Sequence, residues 1–238
     1  MAEWRTGSVV GWQSLTPSLA TFRLVSEPGT HFPTYEAGQY LALRRDRCRL
    51  TQVVLDSNGK ALRGTGTGLA PFVSMLKQLD HEAQIAGVPQ VNYTLIHTTR
   101  TAQELAFHED LLKIEATRRF DFLYVPSVSR PTEADRANTR LGRGRANNLL
   151  RHVFGMALRE ELDLQQARTM GEDAVARSRM ALERVTQPAL PGHIRRDALL
   201  ERLEPLDTVL LTCGNPLSVA DIKLVADTKR IRIETEDW

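Results

Sequence analysis

The run Gly64-Thr65-Gly66-Thr67-Gly68-Leu69-Ala70-Pro71-Phe72 constrains this chain more than any other feature. Glycine occupies alternate positions and threonine lies between. The run leads straight into Phe72, Met75, Leu76 and Leu79, which fall at i, i+3, i+4 and i+7 and predict one apolar face of a helix. Pro71 suits the first helical turn, where its missing N–H loses nothing. Glycines let a backbone approach a ligand closely, and the unpaired N–H groups of a helix start attract an anion. The ligand implied is a phosphate or pyrophosphate. The spacing is neither a Walker A loop nor Gly-x-Gly-x-x-Gly. A plain Gly/Thr turn accounts for the same residues.

On either side of this run the apolar periodicity differs. Ser8-Val9-Val10, Thr21-Phe22-Arg23-Leu24-Val25, Gly38-Gln39-Tyr40-Leu41-Ala42-Leu43 and Thr51-Gln52-Val53-Val54-Leu55 predict strands, with turn formers between them and a strong turn at Asp56–Lys60. They predict part of an antiparallel sheet or barrel. After Gly64, helical and extended patterns alternate. Helices are expected over roughly 71–84, around Leu105, Leu112 and Ile114, over about 145–154 and from Val219 to about Lys229. Strands are expected at Tyr93–His97, Phe120–Val125, Thr208–Thr212 and Arg230–Glu234. Such alternation predicts an α/β fold: a parallel sheet with helices on both faces and ligands at the carboxyl ends of its strands. Residues 157–187 are charged and rich in Ala, Arg and Glu, and predict a solvated helical excursion.

Composition removes other classes. A formal net charge of +2 makes no demand for nucleic acid. Cys48 and Cys213 are too few for a disulfide framework and point to a reducing compartment. The start of the chain lacks the apolar core of a signal peptide, and no run suits a membrane span, so a cytoplasmic protein is expected. The histidines are scattered and make no metal-ligand motif. No Gly-x-Ser-x-Gly elbow is present.

Motifs in order along the chain carry a resemblance. Gly64 to Ser74, Val128-Ser129-Arg130 after a strand, Cys213-Gly214-Asn215-Pro216 with Asp221 downstream, and the tail Glu234-Thr235-Glu236-Asp237-Trp238 together resemble the nucleotide half of the ferredoxin–NADP reductase superfamily. Gly38-Gln39-Tyr40 resembles the Gly-Gln-Tyr/Phe strand of its flavin barrel. The resemblance implies two domains. Residues 1–63 would be a truncated FAD-binding β-barrel, and 64–238 an NADP(H)-binding α/β domain with a charged helical insertion at about 157–187. It implies hydride transfer between NADP(H) and FAD, with ferredoxin or flavodoxin as electron partner. No nucleic acid or membrane partner is implied.

Site residues follow from that frame. Gly64, Thr65, Gly66, Thr67 and Gly68 form the first nucleotide loop. Ser129 and Arg130 resemble the family's 2′-phosphate clamp, and a hydroxyl and a guanidinium at a strand end suit charge-assisted bonds to phosphate. Arg100 and Arg143 (or Arg145) are placed to join them. A solvated surface arginine is the alternative for each. Cys213 is expected at the nicotinamide edge, beside Gly214, Asn215 and Pro216, with a small core residue as the alternative. Trp238 is expected to stack on the flavin, and Glu234 or Glu236 to relay protons or orient the nicotinamide.

The chain also departs from the family. The Arg-x-Tyr-Ser/Thr strand that holds flavin is absent from residues 41–63, where Arg44-Arg45-Asp46-Arg47-Cys48-Arg49 is basic without an aromatic platform. Directly before Gly64, where the family places its central strand, stands the short, half-charged Lys60-Ala61-Leu62-Arg63; the alternative is Val53-Val54-Leu55 as that strand, with Asp56 to Arg63 as an inserted loop. A parallel sheet without that strand is expected to leave backbone groups unpaired and apolar faces open.

Overall fold

A computed structural model describes residues 7–17, 19–32, 34, 36–37, 68–86 and 91–235. The strands expected at Gly38–Leu43 and Thr51–Leu55, the turn at Asp56–Lys60, the loop residues Gly64–Thr67, Glu236 and Trp238 lie outside the described residues. The chain divides into two compact units, Met1–Val88 and Pro89–Trp238.

In the first unit, β1 (Gly7–Thr16) and β2 (Leu19–Ser26) pair antiparallel. Trp12 and Phe22 face each other across the ladder and stack with ring centroids 6.1 Å apart. Polar–apolar alternation over Thr21–Val25 predicts β2, yet the pair leaves large apolar side chains open: Val9 is 58 % and Trp12 68 % exposed. Helix α1 (Leu69–Ile85) follows the glycine run, with Gly68 as its N-cap. It buries Pro71, Val73 and Leu76, while Phe72, Met75 and Leu79 are only half-buried. The buried stripe is therefore turned from the expected one.

The second unit is α/β. Strands β3 (Tyr93–Thr99), β4 (Phe122–Val128) and β5 (Gly142–Arg143) form a parallel sheet in that order. Strands β6 (Val209–Thr212) and β7 (Arg232–Thr235) form a second parallel pair. Among the described residues, the edge of β3 away from β4 and that of β6 away from β7 have no strand partner. Val209 and Leu211 of β6 are 48 % and 46 % exposed.

Helices α2 (His108–Thr117), α3 (Glu133–Ala137), α4 (Ala146–Val153), α5 (Arg159–Ala167), α6 (Glu172–Arg184), α7 (Arg196–Glu201) and α8 (Pro216–Lys229) complete the unit. A single apolar core joins Val125 of β4, Leu150 and Val153 of α4, Leu199 of α7, and Ile222 and Val225 of α8, with Leu210 and Ile233 against it. Both sheets therefore share that core. Helix α2 buries Leu111 and Ile114; the predicted Leu112 is half-buried and Leu105 precedes the helix. Helix α8 begins at Pro216 rather than Val219, because Asn215 caps it: the Asn215 side-chain oxygen accepts from Leu217 N at 3.0 Å. Pro216 at the first helical position completes this start signal.

The excursion at 157–187 is two helices, α5 and α6. Helix α6 buries no residue. The root of α5 is not merely solvated: Leu158 and Ala167 are buried, and Arg159 and Glu160 bond to groups on α4 and α8.

Candidate nucleotide site at the strand ends

Parallel register brings the predicted phosphate ligands together. Ser129 N donates to Thr99 O at 2.9 Å and Arg130 N to Arg100 O at 2.8 Å, so the ladder between β3 and β4 continues past both strand ends. Val128 is the register partner of Arg143 on β5. Arg100, Arg130 and Arg143 thus stand at three neighbouring strand ends, on strands spaced ~4.8 Å apart. All three are exposed, and none forms a side-chain hydrogen bond or ion pair among the described residues. The Glu104 carboxylate accepts from Arg100 N at 3.4 Å; three exposed guanidiniums that form no ion pair among the described residues fit a phosphate monoester dianion by charge and by donor supply.

Ser129 is placed differently. Its hydroxyl donates to Thr99 O at 3.1 Å, and its carbonyl accepts from Thr186 Oγ1 at 2.7 Å. The hydroxyl proton is spent on the sheet, so donation to a phosphate falls to the arginines.

The backbone around Arg143 is tightly held. Arg143 N donates to Ala189 O at 2.7 Å, Ala189 N returns the bond at 2.9 Å, and Gly144 N donates to Val128 O at 3.0 Å. Gly144 has φ +106°, and a Cβ there would meet Pro188 at 3.1 Å, so only glycine fits. The segment that returns from α6 therefore crosses β5 and presents Arg143 outward.

The second predicted cluster follows β6. Thr212 is buried, Cys213 half-buried, and Gly214, Asn215 and Pro216 are exposed. Gly214 has φ +138°, which turns the chain out of the strand and into α8. Asn215 and Pro216 serve first as the helix start. Asp221 is 2 % exposed, and both its oxygens are occupied. Arg151 donates from Nε to Oδ2 at 2.9 Å and from Nη2 to Oδ1 at 2.6 Å, and Asn147 Nδ2 donates to Oδ2 at 2.9 Å. Arg159 Nη1 lies 3.7 Å from Oδ1. Burial opposes the charge on Asp221, but the hydrogen bonds from Arg151 and Asn147 and the charges of Arg151 and Arg159 outweigh it and hold the carboxyl below its ordinary value. Asp221 lies inside a packed ion pair, with no oxygen left over for a ligand.

Arg151, itself 1 % exposed, and Asn147 were not among the sequence candidates. The signal was a polar pair at i, i+4 on a helix whose other buried positions are Asn148, Leu149, Leu150 and Val153. Its partner lies 70 residues along the chain, which no local pattern reveals. The Asn147 Oδ1 atom is buried without a hydrogen-bond partner.

A third polar cluster was also unforeseen. The Tyr124 hydroxyl lies 3.0 Å from His97 Nδ1 and 3.1 Å from His108 Nδ1. A phenol has one proton, so one imidazole accepts from Tyr124 and the other donates to it. Burial, then His108, pushes His97 down to about 4. Burial, then Glu115 and Glu109, pushes Tyr124 up.

Among the described residues, no group of His, Cys, Asp and Glu is arranged to hold a metal ion, and no helix is long and apolar enough to cross a membrane. No curated protein matches the chain. Residues 62–152 match the family model described as oxidoreductase NAD-binding domain, a stretch that includes Gly64–Gly68, Arg100, Ser129, Arg130 and Arg143 and stops before Cys213. That stretch supports a pyridine-nucleotide-binding oxidoreductase module.

Proposed function

We propose that this chain is an NADP(H)-selective oxidoreductase of ferredoxin–NADP reductase type. The observation that carries the reading is the trio Arg100, Arg130 and Arg143 on adjacent strand ends, exposed and in no ion pair among the described residues. A 2′-phosphate is what separates NADP(H) from NAD(H), and these guanidiniums suit it. When bound, the nicotinamide exchanges a hydride with FAD, and the electrons pass on to ferredoxin or flavodoxin. The chain's own part is positioning. Arg100, Arg130 and Arg143 hold the 2′-phosphate; the Gly64 to Gly68 sequence pattern is assigned the pyrophosphate, and Cys213 and Gly214 the nicotinamide. Glu236 is assigned the proton, and Trp238 the face of the flavin.

Calorimetric titration tests this. Arg130→Ala should lose about 1.5–3 kcal/mol of NADP(H) affinity, the scale of a hydrogen bond to a charged group, with NAD(H) affinity little changed. Equal losses for both cofactors would overturn the assignment. Gly66→Val should block both nucleotides while circular dichroism stays that of the wild type.

The missing Arg-x-Tyr-Ser/Thr strand favours a second reading, a nucleotide-binding module that has lost FAD. Absorption spectra after extensive dialysis decide between them. Stoichiometric flavin supports the reductase, and a colourless protein that resists FAD loading supports the module.

A further inference from the structure

We infer that Arg151, Asp221 and Asn147 are the positioning residues of the 2′-phosphate clamp, holding α4 in one register on α8 and so aiming the Gly142–Arg145 loop. The inference rests on the nucleotide reading above.

Helix α4 is short, and its N-cap, Arg145, makes no side-chain capping bond. Its first turn therefore has little to anchor it locally. What anchors it is Asn147, two residues after Arg145, bonded to Asp221 of α8 at 2.9 Å. One turn later Arg151 grips both oxygens of the same carboxylate, and its remaining nitrogen, Nη1, donates to Ala157 O at 3.0 Å. Asp221 thus sees Arg151 and Asn147 from α4 and Arg159 from α5.

The apolar contact between these helices, Leu150 and Val153 against Ile222 and Val225, tolerates some sliding. A bidentate guanidinium–carboxylate pair does not, because both bonds are made at only one rotation and height. Against well-packed apolar residues a buried ion pair adds little stability, so register is the property it contributes here. Downstream of that register lies the clamp. Arg143 is pinned by Ala189 on the strand side, and α4 fixes where the chain goes after Gly144. A second link has the same sense. Asn148 donates to Glu160 Oε2 at 2.7 Å and accepts from Arg159 N at 3.1 Å, and Glu160 Oε1 is 3.8 Å from Arg145 Nη1. The root of the α5–α6 excursion is thereby tied to the loop that carries Arg143.

The test uses the full chain and two probes, adenosine 2′,5′-bisphosphate and 5′-AMP, titrated calorimetrically beside thermal melts. The ratio of the two affinities reads the 2′-phosphate contribution alone. Asp221→Asn and Asn147→Ala should each lower that ratio about tenfold, with 5′-AMP affinity within about twofold of wild type. Asp221→Glu, which keeps the charge, should recover part of it. Asn147→Ala leaves the ion pair in place and keeps the test valid if Asp221→Asn does not fold. An unchanged ratio with a lowered melting temperature overturns the inference and leaves the nucleotide reading standing, as does an equal fall in both affinities. A wild-type protein with no preference for the 2′-phosphate overturns both.

Discussion

Strands β1 and β4 show what the same kind of sequence becomes in two surroundings. Strand β1 carries Val9, Val10 and Trp12 and pairs with β2, yet all three remain exposed. Strand β4 carries Tyr124, Val125, Pro126, Ser127 and Val128, all buried, between β3 and β5 and beneath α4. A hairpin owes its pairing to its own ladder and cross-strand rings. Alone, such a pair is marginal, because two strands bury little apolar surface. A central parallel strand is covered on both faces, so its neighbours set its stability. Pattern alone thus predicts a strand; burial decides how much that strand contributes.

The contrast predicts unequal sensitivities. The largest should come from Arg151→Ala, which leaves Asp221 charged and buried without its guanidinium. A loss of ~3–5 kcal/mol is expected, read as lost amide protection across Phe122–Val128 by hydrogen exchange. Protection in Gly7–Ser26 should barely move; a parallel loss there would erase the distinction between the regions.

Next comes acid. His97 is held at about 4, below its ordinary 6.5, so the unfolded chain takes up the proton first. The stability from neutral His97 is complete above about 6.5 and lost as pH falls towards about 4, by ~3 kcal/mol in all. Urea melts followed by circular dichroism at pH 7 and at pH 4.5 should show it. In His97→Leu the dependence over this window should flatten, and an equally steep dependence would rule His97 out.

Tyr124→Phe is a smaller change at the same place. It removes the bridging hydroxyl and strands the imidazole nitrogens of His97 and His108. A cost of ~1–3 kcal/mol is expected in the urea melt. The smallest effect belongs to the hairpin. Trp12→Ala deletes an exposed stacked ring and should cost under ~1 kcal/mol. A larger loss in the melt would mean that β1 is covered and would weaken the contrast from the other side.

Sequence alone reached much of the fold. The period change after Gly64, the strands at Tyr93, Phe122 and Val209, and α4 and α8 were all legible, because apolar spacing and cap residues act locally. Arg100 and Arg130 were legible as candidates for the same reason, since each follows a strand pattern; Arg143 was a candidate only as a basic residue in Leu141-Gly142-Arg143-Gly144-Arg145. Their adjacency was not, since it depends on the order β3-β4-β5 and on ladder bonds between residues thirty apart. The role of Asp221 was not legible either. A carboxylate after Cys213-Gly214-Asn215-Pro216 suggests a ligand, and only tertiary packing sets Arg151 against both its oxygens. The His97–Tyr124–His108 cluster belongs to the same class. Local chemistry settles where strands and helices begin and end; which charges meet, and which are left for a ligand, is decided by contacts distant in sequence, where burial makes an unpaired charge too costly to keep.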